Sequence, residues 1–410
     1  MRVPCAHLIA ALLTTMSMLC GPSSKALAVT QRAELTQTDG AADDTFGYSV
    51  AVSGNTIVVG APGVVRNGQL FGAAYVFENG GAGWVQVAKL TATNGSRLGS
   101  SVAISGDGRT VAAGAPPFEN GGTVLVFVEP AGGWGDMTET AELTPEHAVE
   151  GFGVSVAISA DGEIVAAGSR GGGAFVYTEP ATGWAHTSQP TGELARPVGA
   201  EGFGASIAMS GNTAVVGDPE YLDANGQSVG GAFVYILRSG PHTIPISATL
   251  TASDAVEADN FGISVAIVGN TVVAGANGHN SLAGAAYVFV GPPSGWENMT
   301  QTAELTVPTR GKTTLGSSVA IIGNAILAGA PGDTIGHDAA QGAVFAYLKP
   351  PGGWVNTDTP NLSVTGSDST AKDEFGFSVA LSGNTAVIGA PYHAVNGNGD
   401  QGAAYVFGQH

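Results

Sequence analysis

Cysteine is almost missing from this 410-residue chain: its two, Cys5 and Cys20, both lie in the first twenty residues. Basic residues are scarce as well, 14 Lys and Arg against 33 Asp and Glu, for a net charge of −19. That balance makes nucleic-acid backbones and anionic membrane surfaces poor partners. It suits solubility outside a cell, or a preference for cations and basic surfaces. Past the N-terminus no apolar run approaches the length of a membrane span, because Gly and polar residues interrupt each one. Helical periodicity is lacking too.

The N-terminus has its own pattern. Arg2 and His7 precede an apolar run from Leu8 to Leu19, and Ala26-Leu27-Ala28 offers the small residues of a cleavage site. Residues 1–28 therefore read as a secretory signal peptide, and 29–410 as a single mature domain. Leu19 is bulky where a lipoprotein signal before Cys20 wants a small residue. Both cysteines leave with the leader, which excludes a disulfide framework, a thiolate metal site and a thiol nucleophile. The expected location is secreted, periplasmic or at the cell surface after cleavage near Ala28.

What the chain has in abundance is repetition. Phe46-Gly47-Tyr48-Ser49-Val50-Ala51, then Gly54-Asn55-Thr56, Val59-Gly60-Ala61-Pro62 and Gly72-Ala73-Ala74-Tyr75-Val76-Phe77 make the first of seven copies. The opening glycine recurs at Gly47, Gly99, Gly153, Gly204, Gly262, Gly316 and Gly376. Units of this size must stack to bury a core. Period-2 alternation around Val50 and Val52, a Gly54-Asn55 hairpin turn and two further apolar runs give four short strands per unit. Seven such units predict an all-β fold, a seven-bladed β-propeller of four-stranded blades. The mature chain opens on a fourth-strand segment, Ala33-Glu34-Leu35-Thr36, and ends on a third strand, Tyr405-Val406-Phe407. The N-terminal strand is thus expected to close the ring and remove two free edges.

Phe-Gly followed by Gly-Ala-Pro resembles the FG-GAP repeat, the unit of integrin α-subunit propellers. Phe46-Gly47, Phe152-Gly153, Phe203-Gly204, Phe261-Gly262 and Phe375-Gly376 match its first element. Gly60-Ala61-Pro62, Gly114-Ala115-Pro116, Gly329-Ala330-Pro331 and Gly389-Ala390-Pro391 match its second. The resemblance runs from Ala33 to Phe407. Calcium-binding members carry long acidic loops between the first two strands, whereas this chain has short turns such as Ser53-Gly54-Asn55-Thr56. It is similar to a short-loop, prokaryotic-type branch, and calcium does not carry over at those turns.

Candidate chemistry is sparse. Acids stand two positions before the Phe at Asp44, Glu150, Glu201, Asp259 and Asp373, where they either ring one mouth of the axis or cap their own turns. Metal candidates gather as Asp39, Asp43 and Asp44, as Asp254 and Asp259, and as Asp368 and Asp373; calcium is the ion they would suit, with no specific motif behind it. Ligand-binding candidates are residues that break the repeat: Asp218, Tyr221 and Asp223, His337 and Asp338, and Tyr392, His393 and Asp400. Trp84, Trp134, Trp184, Trp296 and Trp354 either stack on sugars or anchor the outer hairpins. No nucleophile elbow, zinc-protease helix or phosphate loop is present, so no enzyme is expected. The expected protein is a monomeric secreted binding or adhesion module for an extracellular protein or glycan. The alternative is a calcium-dependent lectin or a glycan-active propeller enzyme.

Overall fold

The computed structural model describes residues 29–94, 97–117, 121–238, 242–308 and 311–409. The expected leader, with both cysteines, lies outside the described residues. Among the described residues, seven four- or five-stranded sheets are arranged as propeller blades, beside one two-stranded ribbon. Blade 1 is built from Ser49–Ser53, Thr56–Ala61, Ala73–Asn79 and Trp84–Thr91, from the axis outward. Blade 7 takes Ser378–Ser382, Thr385–Ala390 and Ala403–Gln409 from the end of the chain. Its outer strand is Val29–Leu35, antiparallel to Ala403–Gln409, with Glu34 opposite Tyr405 and Leu35 opposite Ala404. The ring is closed as the phase of the repeats implies.

Three blades carry more than the four expected strands. Met137–Thr138, Thr243–Ile244 and Met299–Thr300 pair in parallel with the outer strands of blades 1, 3 and 4. Each belongs to chain travelling toward the next outer strand, and it covers an edge that would otherwise be free.

The repeated residues form a clasp between neighbouring blades. The hydroxyls of Ser49, Ser101, Ser155, Ser206, Ser264 and Ser318 each donate to the Phe/Leu-Gly glycine carbonyl of the next blade, at 2.7 to 2.8 Å. Ser378 donates to the Gly47 carbonyl at 2.8 Å and completes the circle. The accepting glycines have φ between 85° and 98°, which costs an L side chain dearly. Facing them are Gly60, Gly114, Gly168, Gly217, Gly275, Gly329 and Gly389, where a Cβ would lie 1.8 to 2.1 Å from that same carbonyl oxygen. One contact thus requires the serine and both glycines together.

Outside the clasp, each blade buries its repeated aromatics. Phe46 packs edge-on against Tyr75 and Phe77, at 5.7 and 5.9 Å between centroids. Trp134 and Trp184 are buried and donate their indole N–H groups to the Gly108 and Gly162 carbonyls. Trp354 is buried as well, which favours the anchoring role for these three over stacking on sugars.

Candidate functional site

The loops that enter each blade and those between its second and third strands share one face. Backbone bonds join them across blades: Asp43 and Thr45 donate to the Gly399 and Asp400 carbonyls. The residues that break the repeat sit on this face but belong to separate blades. In blade 4, Asp218 is fully buried and its Oδ1 accepts the Gly202 and Glu220 N–H groups. Burial pushes its carboxyl up to about 6. Tyr221 packs edge-on against Phe233, and Asp223 folds its own turn by accepting the Asn225 and Gln227 N–H groups. In blade 6, His337 and Asp338 lie exposed at a tight turn beside Ile335. In blade 7, Asp400 is exposed with φ 51°. Tyr392 and His393, though adjacent, face different surroundings.

Tyr392 turns toward the loop-side ends of the innermost strands. It meets Phe377 edge-on at 6.2 Å, and Phe377 lies 4.8 Å from Tyr48 of blade 1. Tyr48 in turn lines a recess with Arg97, Pro117 and Arg170. A row of three aromatic rings therefore leads to a recess lined by two arginines, in a protein otherwise poor in positive charge.

His393 turns into blade 7 and is buried. Its Nδ1 lies 2.7 Å from Asp373 Oδ2, which also accepts the Thr370 N–H. Its Nε2 faces Asp368 Oδ2 at 3.8 Å and Glu34 Oε1 at 4.0 Å. The second Asp368 oxygen accepts the Tyr405 hydroxyl. Hydrogen bonding to Asp373, working against burial, holds the His393 imidazole above its usual pKa. Burial and the neighbouring Asp368 push Glu34 upward.

Blade 5 repeats the arrangement. His279 Nδ1 is 3.0 Å from Asp259 Oδ2, which accepts the Val256 N–H. His279 Nε2 faces Glu304 Oε1 at 3.6 Å and Asp254 Oδ2 at 3.9 Å, while the Tyr287 hydroxyl donates to Asp254 Oδ1. The histidine opens a single turn, His279–Leu282, in which Asn280, Ser281 and Leu282 all have positive φ.

Blade 1 shows the same frame with one exchange. Asp44 is buried and accepts the Ala41 N–H, and Asp39 accepts the Tyr75 hydroxyl. The histidine position is held by Val64, whose carbonyl accepts the Gly72 N–H as those of His279 and His393 accept Gly284 and Gly402. The glutamate position is held by Lys89, whose Nζ lies 2.5 Å from Asp39. Burial raises the Asp39 carboxyl, but its hydrogen bond with Lys89 and that ammonium's charge outweigh it and hold the group below the usual range.

The seven metal candidates thus divide. Asp44, Asp259 and Asp373 cap turns from inside; Asp39, Asp254 and Asp368 present carboxylates to a cation or an imidazole; Asp43 is exposed. Glu150 and Glu201 are exposed, so the five acids before the Phe do not share one environment. Glu34, Glu304 and His279 did not stand out in the sequence. The glutamates sit in an Ala/Gly-Glu-Leu pattern shared with Glu142 and Glu193, which reads as scaffold. The signal that marks them is joint: His, two Asp, Tyr and Glu occur together only in repeats 5 and 7.

A sequence model of the FG-GAP repeat family matches residues 29–77, 247–289 and 362–407. These segments carry the Asp, Asp and Tyr positions shared by blades 1, 5 and 7. No curated protein matches the chain. With seven such units clasped serine to glycine around one axis, the chain is an FG-GAP repeat protein folded as a seven-bladed β-propeller.

Proposed function

We propose that this chain is a secreted, monomeric binding or adhesion module, not an enzyme, that recognises an extracellular protein or glycan through its loop face. The observation that carries this reading is the aromatic row of Tyr48, Phe377 and Tyr392 leading to the recess lined by Arg97 and Arg170. Tyrosine and arginine concentrate binding energy because they offer large contact area together with directed polar groups. The clasped ring beneath holds them in turns that flank the ends of its strands, so little order has to be imposed when a partner binds. The integrin-like reading rests on the shared repeat and on this use of one face.

The test is binding of the mature chain to arrayed glycans and extracellular proteins, repeated with Tyr48→Ala and Tyr392→Ala. A partner lost in either variant supports the reading. A partner bound equally by both variants refutes it, as does hydrolysis of a labelled glycan that one carboxylate substitution abolishes.

A further inference from the structure

We infer that blades 5 and 7 each bind a divalent transition-metal ion of the zinc class, held by His279, Asp254 and Glu304 in one and by His393, Asp368 and Glu34 in the other. This goes beyond the loop-face reading and does not depend on what that face recognises.

In each blade one imidazole nitrogen and two carboxylate oxygens lie within 4.8 Å of one another. Ligands about 2.0–2.2 Å from a tetrahedral zinc ion stand roughly 3.3 Å apart. The observed separations from Nε2, 3.6 to 4.0 Å, need only a small contraction. The carboxylates can supply it, because their side chains are 22 to 48 % exposed while the imidazoles are 6 and 9 % exposed. An ion can therefore enter from solvent onto a fixed imidazole.

The groups behind the ligands are arranged as a metal requires. A buried carboxylate, Asp259 or Asp373, accepts a hydrogen bond from Nδ1–H, which keeps the proton on Nδ1 and leaves the Nε2 lone pair facing the cluster. A tyrosine hydroxyl, Tyr287 or Tyr405, ties the outer oxygen of each aspartate and leaves the inner one free to coordinate. Among the described residues, neither Nε2 makes a hydrogen bond. Two carboxylates facing a lone pair in a partly buried pocket call for positive charge.

Blade 1 shows what such a pocket does when the chain supplies the charge. There Lys89 replaces the glutamate, Val64 replaces the histidine, and the ammonium sits on Asp39. In blades 5 and 7, which share the two aspartates and the tyrosine of blade 1, a histidine and a glutamate stand together in place of the valine and the lysine, exchanging an internal cation for a ligand set. That set is not calcium chemistry, which needs six to eight oxygens and no imidazole. One nitrogen and two carboxylates suit zinc, cobalt or nickel, with the fourth position open to water. In blade 7 the ion would also tie Glu34, on the closing strand, to the C-terminal part of the chain.

The test is calorimetric titration of chelator-stripped mature protein with Zn²⁺, with Co²⁺ absorption as a second readout. About two equivalents are expected, falling to about one in His279→Ala or His393→Ala and to none in the double variant. Ca²⁺ should give no heat at these sites. Circular dichroism checks each variant's fold, and Glu304→Gln and Glu34→Gln replace any histidine variant that does not fold. Val64→His with Lys89→Glu should create a third site. Folded, stripped protein that binds neither ion would overturn the inference. So would a double variant that retains both equivalents.

Discussion

Replacing Gly114 by Ala should open the seam between blades 2 and 3. The new Cβ would lie 1.8 Å from the Gly153 carbonyl oxygen and 2.4 Å from Ser101 Oγ. The obstruction is backbone, so no side chain can swing aside, and the blades would have to part by about 1.5 Å to reach ordinary contact. Parting stretches the 2.8 Å Ser101–Gly153 hydrogen bond, worth about 1 kcal/mol. It also strains packed neighbours by about 1–3 kcal/mol. A loss near 3 kcal/mol is therefore expected in urea unfolding followed by tryptophan fluorescence. Gly132→Ala is the control: its Cβ meets nothing within 4 Å, and its φ is ordinary. It should be neutral or stabilise by up to about 1 kcal/mol by restricting the unfolded chain. If Gly114→Ala costs less than about 1 kcal/mol, the clasp does not hold the blades as described.

Further consequences can be measured alongside. Ser378→Ala removes the bond that returns the circle to Gly47 and should cost about 1–3 kcal/mol, read as a lower urea midpoint at constant slope. Trp184→Phe leaves the Gly162 carbonyl without its indole donor and should cost about 1–2 kcal/mol in the same assay. Asp218 has a folded pKa of about 6, above its unfolded value, so the folded state binds the extra proton. Its penalty is present above pH 6 and is relieved as pH falls toward about 4, giving stability that declines with rising pH across that window. Asp218→Asn should therefore gain relative to wild type between pH 4.5 and pH 7.5, by roughly 2–3 kcal/mol; a pH-independent difference would contradict the assignment.

The fold was legible because the clasp tolerates so little. A positive-φ glycine, a glycine facing its carbonyl and a serine that bonds it must recur in every blade, and that recurrence is visible in the sequence. Ring closure followed from the phase of Ala33-Glu34-Leu35 and Tyr405-Val406-Phe407. The short parallel strands such as Met137–Thr138 were not legible, since two residues carry no pattern and their pairing depends on where the previous blade lies. The histidine–carboxylate clusters were half legible. Asp254 and Asp368 stood out as acids and His393 as a departure from the repeat, but their meeting with Glu304 and Glu34 depends on strand register. Glu34 reaches His393 only because the N-terminal strand pairs with the last one.

Residues shared by the seven repeats hold the ring, while those that differ on one face are the ones we propose to bind. Partner affinity and melting temperature, measured together for Tyr392→Ala and Ser155→Ala, separate the two roles. Tyr392→Ala should weaken binding by about tenfold or more while melting almost as wild type. Ser155→Ala, whose 2.7 Å bond clasps blades 3 and 4, should lower melting and leave affinity nearly unchanged. The reverse pattern, with binding lost through the serine and retained without the tyrosine, would contradict the account.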